Sequence, residues 1–373
     1  MRLDSPGQLL DAFRQGGMAV LIDEDDERIG GVIMAPAATI SAEQVNFMAR
    51  NARGLVSLAL TPERCEQLAL PPMTGTAADA GTSRFRVSIE AAEGISTGIS
   101  AADRAHTIRV AVARGAQPRD LVQPGHVFPL RAESGGVLKR AGHAEGGCDL
   151  ARLAGHEPAA VLAEILDHEG SLATGASLQA FAQTHGLPIG SIAGLIQFRL
   201  LHEATVEPIR EGEVQTAWGA FRLHAFRESG SGAIHVALCQ GRIDAAVPVL
   251  VRVHVASALR DLAWTRMPGQ GPNWNAARCL ERIARDGNGV FVLLDQTEGR
   301  EHLMASIGAA LGSGERVAPT RSPQTTHTLV GVGSQILRRL GVGRMRLMGP
   351  PIRYNAISGF GLEVVEYLAY EAG

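Results

Sequence analysis

The stretch Pro124–Gly147, PGHVFPLRAESGGVLKRAGHAEGG, carries the residue types from which a metal or phosphate site is made: His126 and His143, Arg140, and Glu145. Glycine and proline interrupt every period in it. It therefore reads as a loop, unsuited to a helix or a long strand, and loops on a rigid scaffold often carry binding groups. Two more carboxylates belong with it by type. Glu27 closes the acidic run DEDDE at 23–27, and Glu164 stands alone in the apolar run AAVLAEIL at 159–166. A lone carboxylate in such a run is costly unless it has a partner or a task. A solvated charged turn is the plainer reading of the acidic run. A neutral imidazole and a carboxylate form a common ligand pair for a divalent ion, and arginine beside glycines suits phosphate. Spacing alone does not assemble these six residues.

The chain has 373 residues, enough for two domains, and 45% of them are hydrophobic. With a mean hydropathy of +0.05, that composition fits a folded globular protein. No apolar run approaches the ~20 residues that span a bilayer, so no membrane partner is expected. The start, MRLDSPGQLLDAF, has no basic-then-apolar signal pattern, and the expected location is cytoplasmic. A net charge of −3 gives no electrostatic reason for a nucleic-acid partner. Cys65, Cys148, Cys239 and Cys279 are widely spaced and read as isolated buried thiols. Lys139 is the only lysine, so Schiff-base chemistry would have to use it.

Apolar runs and helical spacing supply the elements that must position these groups. Strands are expected at Met18–Ile22, Val32–Ala35, Leu55–Leu60 and Arg84–Glu90, and helices at 7–17, Ser41–Arg53, after Thr61-Pro62, Ser100–Arg114, Leu178–His185 and Ile192–Leu201. A polar boundary is expected near 203–212. Beyond it, strands are expected at Gly219–Phe226, His235–Cys239, Val247–Val255, Gly289–Asp295, Met345–Met348 and Leu362–Tyr367. Helices are expected at Asn275–Arg285, 302–312 and Ser334–Leu340, with a loose segment at 312–326. The mixture points to a layered α/β or α+β fold.

Three long segments sharpen this: FRVSIEAAEGISTGISAADR (85–104), QPGHVFPLRAESGGVLKRAGHAEGGCDLARLAG (123–155) and AAVLAEILDHEGSLA (159–173). Through them residues 1–200 resemble 3,4-dihydroxy-2-butanone-4-phosphate synthase, the riboflavin-pathway lyase that turns ribulose 5-phosphate into a four-carbon phosphate and formate. The resemblance implies Mg²⁺ or Mn²⁺ held by Glu27 and His143. It implies catalytic roles for His126 and Glu164, and a substrate site including Asp26, Glu27, Gly31, Arg140, Ala141, Gly142 and Ala144. It also implies a homodimer. This chain departs from the family's acidic loop: the family arginine is Asp26, a glutamate is Ile29, and the sugar-contacting aspartate is Gly31. The phosphate-loop threonine is Ala144, and a family cysteine is Ala59.

The second half, through TAWGAFRLHAF (216–226), PVLVRVH (248–254), TEGR (297–300) and GSQILRRLGVGRMRLM (333–348), resembles a degenerate GTP cyclohydrolase II. The three zinc cysteines expected after RVH are absent from 255–274, where Ser257 stands near the first position. Neither zinc nor cyclohydrolase activity is expected. The expected organisation is a synthase-like mixed-sheet domain at 1–203 and a cyclohydrolase II-like α/β domain at 204–373. Three functions fit: a divergent metal-dependent synthase acting on ribulose 5-phosphate, a lyase or isomerase on a related sugar phosphate, and an inactive paralogue with a regulatory or partner role.

Overall fold

The computed structural model describes residues 2–23, 30–73, 84–229, 231–262, 274–295, 303–304, 307, 323–349 and 360–370, with backbone alone at 323–328. Asp26, Glu27, Ile29, TEGR at 297–300 and most of 302–312 lie outside the described residues. The chain divides into two compact units, Met1–Phe198 and Arg199–Gly373.

The first unit is built on a mixed seven-stranded sheet in the order β4-β5-β3-β6-β2-β1-β7. Its strands are β1 (Ala19–Ile22), β2 (Gly31–Pro36), β3 (Ser57–Leu60), β4 (Ile89–Ala91), β5 (Leu121–Arg131), β6 (Ala159–Glu164) and β7 (Ile189–Ser191). The helices are α1 (Pro6–Arg14), α2 (Ala42–Phe47), α3 (Pro62–Gln67), α4 (Ala101–Val112), α5 (His143–Leu153), α6 (Gly175–His185) and α7 (Ile192–His202). Local chemistry starts several of them. Ser41, Thr61 and Ser100 each accept a first-turn N–H of α2, α3 and α4, as N-cap residues do. Alternate residues of the central strands, among them Val20, Ile33, Leu58, Leu60 and Val161, form the buried core on one face together with Val45, Cys65, Ile108 and Val112. α5 covers the other face.

Two expectations about local structure are overturned here. Pro124–Gly147 is not one loop. Its first part lies in the eleven-residue strand β5, and His143 begins α5. Pro124 is tolerated because β3 pairs with β5 only from Phe128 to Arg131, so no ladder bond on that side is lost. Gly146 and Gly147 stay helical because they pack against the sheet, and tertiary contact overrides their poor propensity. Arg84–Glu90 is likewise not one strand. Pairing slips between Ile89 and Glu90, and Phe85 and Arg86 make only isolated bridges.

The second unit carries another seven-stranded sheet, ordered β14-β13-β11-β12-β10-β9-β8. Its strands are β8 (Val206–Thr216), β9 (Gly219–Glu228), β10 (Ile234–Gln240), β11 (Val249–Val255), β12 (Gly289–Leu294), β13 (Arg344–Met348) and β14 (Glu363–Leu368). Its helices among the described residues include α8 (Ala276–Asp286) and α9 (Pro323–Arg339). The segment expected to be a polar boundary is mostly strand β8. It sits at the sheet edge, where polar side chains face solvent and Pro208 falls at a register shift. α9 begins at Pro323, inside the segment expected to be loose, and runs eleven residues further back than the expected helix. Phe221, Leu250, Cys279, Ile283 and Phe291 form its core.

Candidate functional site

Sheet register brings the two expected catalytic residues to one edge. Ser57 pairs with both Phe128 and Leu162. His126 lies two residues before Phe128, and Glu164 two residues beyond Leu162. With β3 alone between their strands, the two backbones are about 10 Å apart, two strand spacings. Strand alternation puts both side chains on the sheet face opposite the core of Val20, Leu58 and Val161. Glu164 is also in register with Val32, and Val32 with Leu21.

His126 has a partner that sequence reasoning missed. Its Nδ1 donates to Oε1 of Glu90 at 2.9 Å. Glu90 is nearly buried, while the His126 side chain is 43% exposed. The carboxylate fixes the ring and its tautomer, leaving Nε2 outward to exchange a proton. The signal was present in the sequence, since Glu90 is a carboxylate in a segment bordering an apolar strand. Nothing local linked it to a residue 36 positions later.

His143 is the first residue of α5. It forms a hydrogen bond with the Leu21 backbone, and its Nε2 is buried without a hydrogen-bond partner. Burial, helped by Arg140, lowers its pKa to about 4 against the opposing effects of Asp23 and Leu21. The ring is therefore neutral near pH 7. A neutral imidazole with one nitrogen fixed by backbone and the other open suits a divalent ion. That atom fits the expected metal role. Asp23, whose charge acts on the ring, is a further carboxylate that the sequence reading did not single out.

Arg140 belongs to a network centred on Glu145, which is completely buried. Arg140 Nη1 donates to Glu145 Oε2 at 2.9 Å, and Arg84 Nη1 donates to Oε1 at 3.3 Å. The Glu133 N–H adds a bond to Oε1 at 2.9 Å, and Arg84 also pairs with Glu133 at 3.0 Å. Arg84 is shared between Glu133 and Glu145, so Arg140 is the cation at the open side of this network. The Arg140 side chain is 42% exposed, with its remaining donors free for an anion. Gly142 caps α5, and a Cβ there would come within 2.4 Å of Glu145 Oε2 and 2.6 Å of Arg140 Nη1. Glycine here leaves the tips of both side chains room to meet. Ala144 is buried in the first turn of α5, and Ala141 is half-buried before it. The first-turn N–H groups of α5 lack intrahelical acceptors and favour an anion.

Gly31 lies in the core and does not reach the group above. It pairs with Ile22, and a Cβ at this position would meet Leu178 Cδ2 at 2.7 Å. Among the described residues no cluster of three or more His, Cys, Asp or Glu side chains is placed to hold a metal.

The second unit has a different polar centre. His254 Nε2 faces both carboxylate oxygens of Asp261 at 3.0 Å. Asp261 also accepts the N–H groups of Ser257 at 2.8 Å and Ala276 at 3.0 Å. Ser257 thus gives its backbone to this network. Cys239 and Cys279 are buried, and burial pushes both thiols up to about 12.

The model of 3,4-dihydroxy-2-butanone 4-phosphate synthase matches residues 7–198, and that of GTP cyclohydrolase II matches residues 207–369. A protein of Pseudomonas aeruginosa named 3,4-dihydroxy-2-butanone 4-phosphate synthase is 46% identical over 371 residues, spanning 100% of both chains. Riboflavin biosynthesis protein RibBA of Aquifex aeolicus is 43% identical, covering 96% of this chain and 90% of its own. Among solved structures, RibBX of A. baumannii, described as a two-domain 3,4-dihydroxy-2-butanone 4-phosphate synthase, is 42% identical. It covers 99% of this chain and 100% of its own, with a TM-score of 0.81. A synthase solved in complex with two magnesium ions is 37% identical, covering 54% of this chain and 99% of its own, with a TM-score of 0.51. The chain belongs to the 3,4-dihydroxy-2-butanone 4-phosphate synthase family, in the form that carries a GTP cyclohydrolase II-type second domain.

Proposed function

We propose that the first domain converts ribulose 5-phosphate into 3,4-dihydroxy-2-butanone 4-phosphate and formate, as a step of riboflavin biosynthesis. The observation that carries this reading is His126, held by Glu90, at the same end of the sheet and on the same face as Glu164, whose strand packs against the helix that begins at His143. Glu27 and His143 would hold Mg²⁺ or Mn²⁺, which would supply Lewis-acid charge to acidify a C–H of the substrate. Arg140 and the N-terminal N–H groups of α5 hold the phosphate. His126 takes and returns protons through Nε2, with Glu90 keeping the ring oriented. Glu164 provides a second acid–base group on the other side of β3. Carbon, hydrogen and oxygen balance between substrate and the two products without oxidant, reductant or net water.

The test is formate release from ribulose 5-phosphate with Mg²⁺. The reading requires turnover, lost in His126→Gln and with a chelator present. No formate from the intact protein would overturn it. One observation favours a second reading, a lyase or isomerase on a related sugar phosphate. Gly31 stands where the family has its sugar-contacting aspartate, and Leu178 fills the space that side chain would need. Metal-dependent loss of a pentose phosphate without formate supports that reading.

The second domain has no GTP cyclohydrolase activity in this proposal. Residues 255–274 contain no cysteine, the Cys239 and Cys279 thiols are held protonated, and Asp261 occupies His254 Nε2. Stoichiometric zinc in the purified chain would contradict it. A cytoplasmic homodimer is the form in which we expect the protein to act. Among the described residues no helix is long and apolar enough to cross a membrane.

A further inference from the structure

We propose a second phosphate-binding pocket in the first domain, walled by Arg86 and Arg131 on the opposite face of the sheet from His126 and Glu164, and suited to a small phosphomonoester. The cavity holds about 350 Å³ and is lined by these arginines with Cys65, Glu66, Leu70 and Pro71 among its other walls. That volume sits at the small end of ligand sites. The face follows from register. Arg131 pairs with Leu60, and Leu58, Leu60, Cys65 and Leu70 all belong to the core opposite α5. His126 and Phe128 alternate to the other side.

Three observations point to an anion. Neither Arg86 nor Arg131 has a side-chain partner among the described residues, unlike Arg64, Arg84 and Arg140. The Nε of Arg86 is buried with no hydrogen-bond acceptor, a costly state for a guanidinium donor. Burial pushes the Cys65 thiol up to about 11, against the pull of both arginines, so it stays neutral. Glu66, exposed at the rim, is the one acid in the lining. Two guanidinium forks around one space match the oxygens of a phosphate. The apolar wall of Leu70 and Pro71 favours a phosphate attached to a short carbon chain over the free ion. Arg84, two residues before Arg86, turns to Glu133 and Glu145, so this pocket is separate from the Arg140 network.

The test uses the full-length chain carrying Arg140→Ala, which removes the main cationic group of the expected substrate site. Equilibrium dialysis with radiolabelled inorganic phosphate should find one bound phosphate per chain. Arg86→Met or Arg131→Met on that background should weaken it at least tenfold, and glycerol 3-phosphate should displace it at lower concentration than unlabelled phosphate does. Absence of phosphate binding, binding indifferent to both substitutions, or no preference for glycerol 3-phosphate overturns the proposal. Should the methionine variants fail to fold, amide exchange on the Arg140→Ala chain decides. Phosphate should slow exchange across residues 65–71, and unchanged exchange there overturns it.

Discussion

Glu90 is the residue through which His126 can be perturbed without touching substrate. Replacing it with glutamine keeps the shape but removes the negative charge, and an amide that can either accept or donate no longer fixes the imidazole tautomer. Glu90→Gln should lower formate-forming kcat about 10–100-fold, as loss of an orienting partner typically does, with KM and the melting temperature little changed. A kcat within twofold of the parent would deny Glu90 that role. His143 is tested by binding. His143→Ala should weaken Mn²⁺ binding, read by electron paramagnetic resonance, by at least tenfold. Equal affinity would remove His143 from the metal site. His126, Glu164, His143 and Arg140 were named through resemblance, because their neighbours are long and specific strings. Glu90, Glu145 and Arg84 were harder to assign because their roles arise from pairings across 36, 5 and 61 positions. No local spacing announces the pairings of Glu90 with His126 or of Arg84 with Glu145.

At the scale of elements, α5 presents His143 and contributes the end of the Arg140 loop, so its seating on the sheet sets the site. Gly147 permits that seating, since a Cβ there would stand 2.8 Å from Ala160 Cβ on β6. Neither backbone can give easily. Gly147→Ala should cost about 1–3 kcal/mol through overpacking, visible as a lower urea midpoint. A midpoint unchanged or raised would show that the helix has room to shift. β1 and β2 were readable because short apolar runs suit buried strands. β5 and the start of α5 were not, because glycine and proline were counted as breakers. What decides their fate is the partner each meets. Pro124 has no β3 neighbour to bond, and Gly147 has a sheet to touch.

For the whole molecule, the two units differ in what holds their polar centres together. In the second, burial keeps His254 below its ordinary pKa of 6.5 despite the Asp261 carboxylate. Burial works against Asp261, but bonds from His254, Arg260 and the Ser257 N–H outweigh it and hold that carboxyl well below 3.8. The signs agree. An unfolded chain takes up the imidazole proton below about pH 6.5, while the folded one resists until lower pH. Stability of the second domain should therefore fall as pH drops from 7.5 to 5, and fall further once pH passes below the ordinary carboxylate range. His254→Gln should flatten the upper part of that slope. A urea midpoint that holds or rises from pH 7.5 to 5 would contradict the assignment. The two-domain division was legible from resemblance, whereas β8 was hidden because an exposed edge strand has the composition of a linker.

Lys139 ends the short turn Gly136–Leu138 and is exposed immediately before Arg140. As the only lysine in the chain, it becomes a single-site optical handle once the α-amino group, which reacts first near neutral pH, is blocked. An amine-reactive dye placed there reports from the mouth of the phosphate loop without engineered cysteines. Its emission would follow sugar-phosphate arrival at Arg140 in real time, separating binding from turnover in one cuvette.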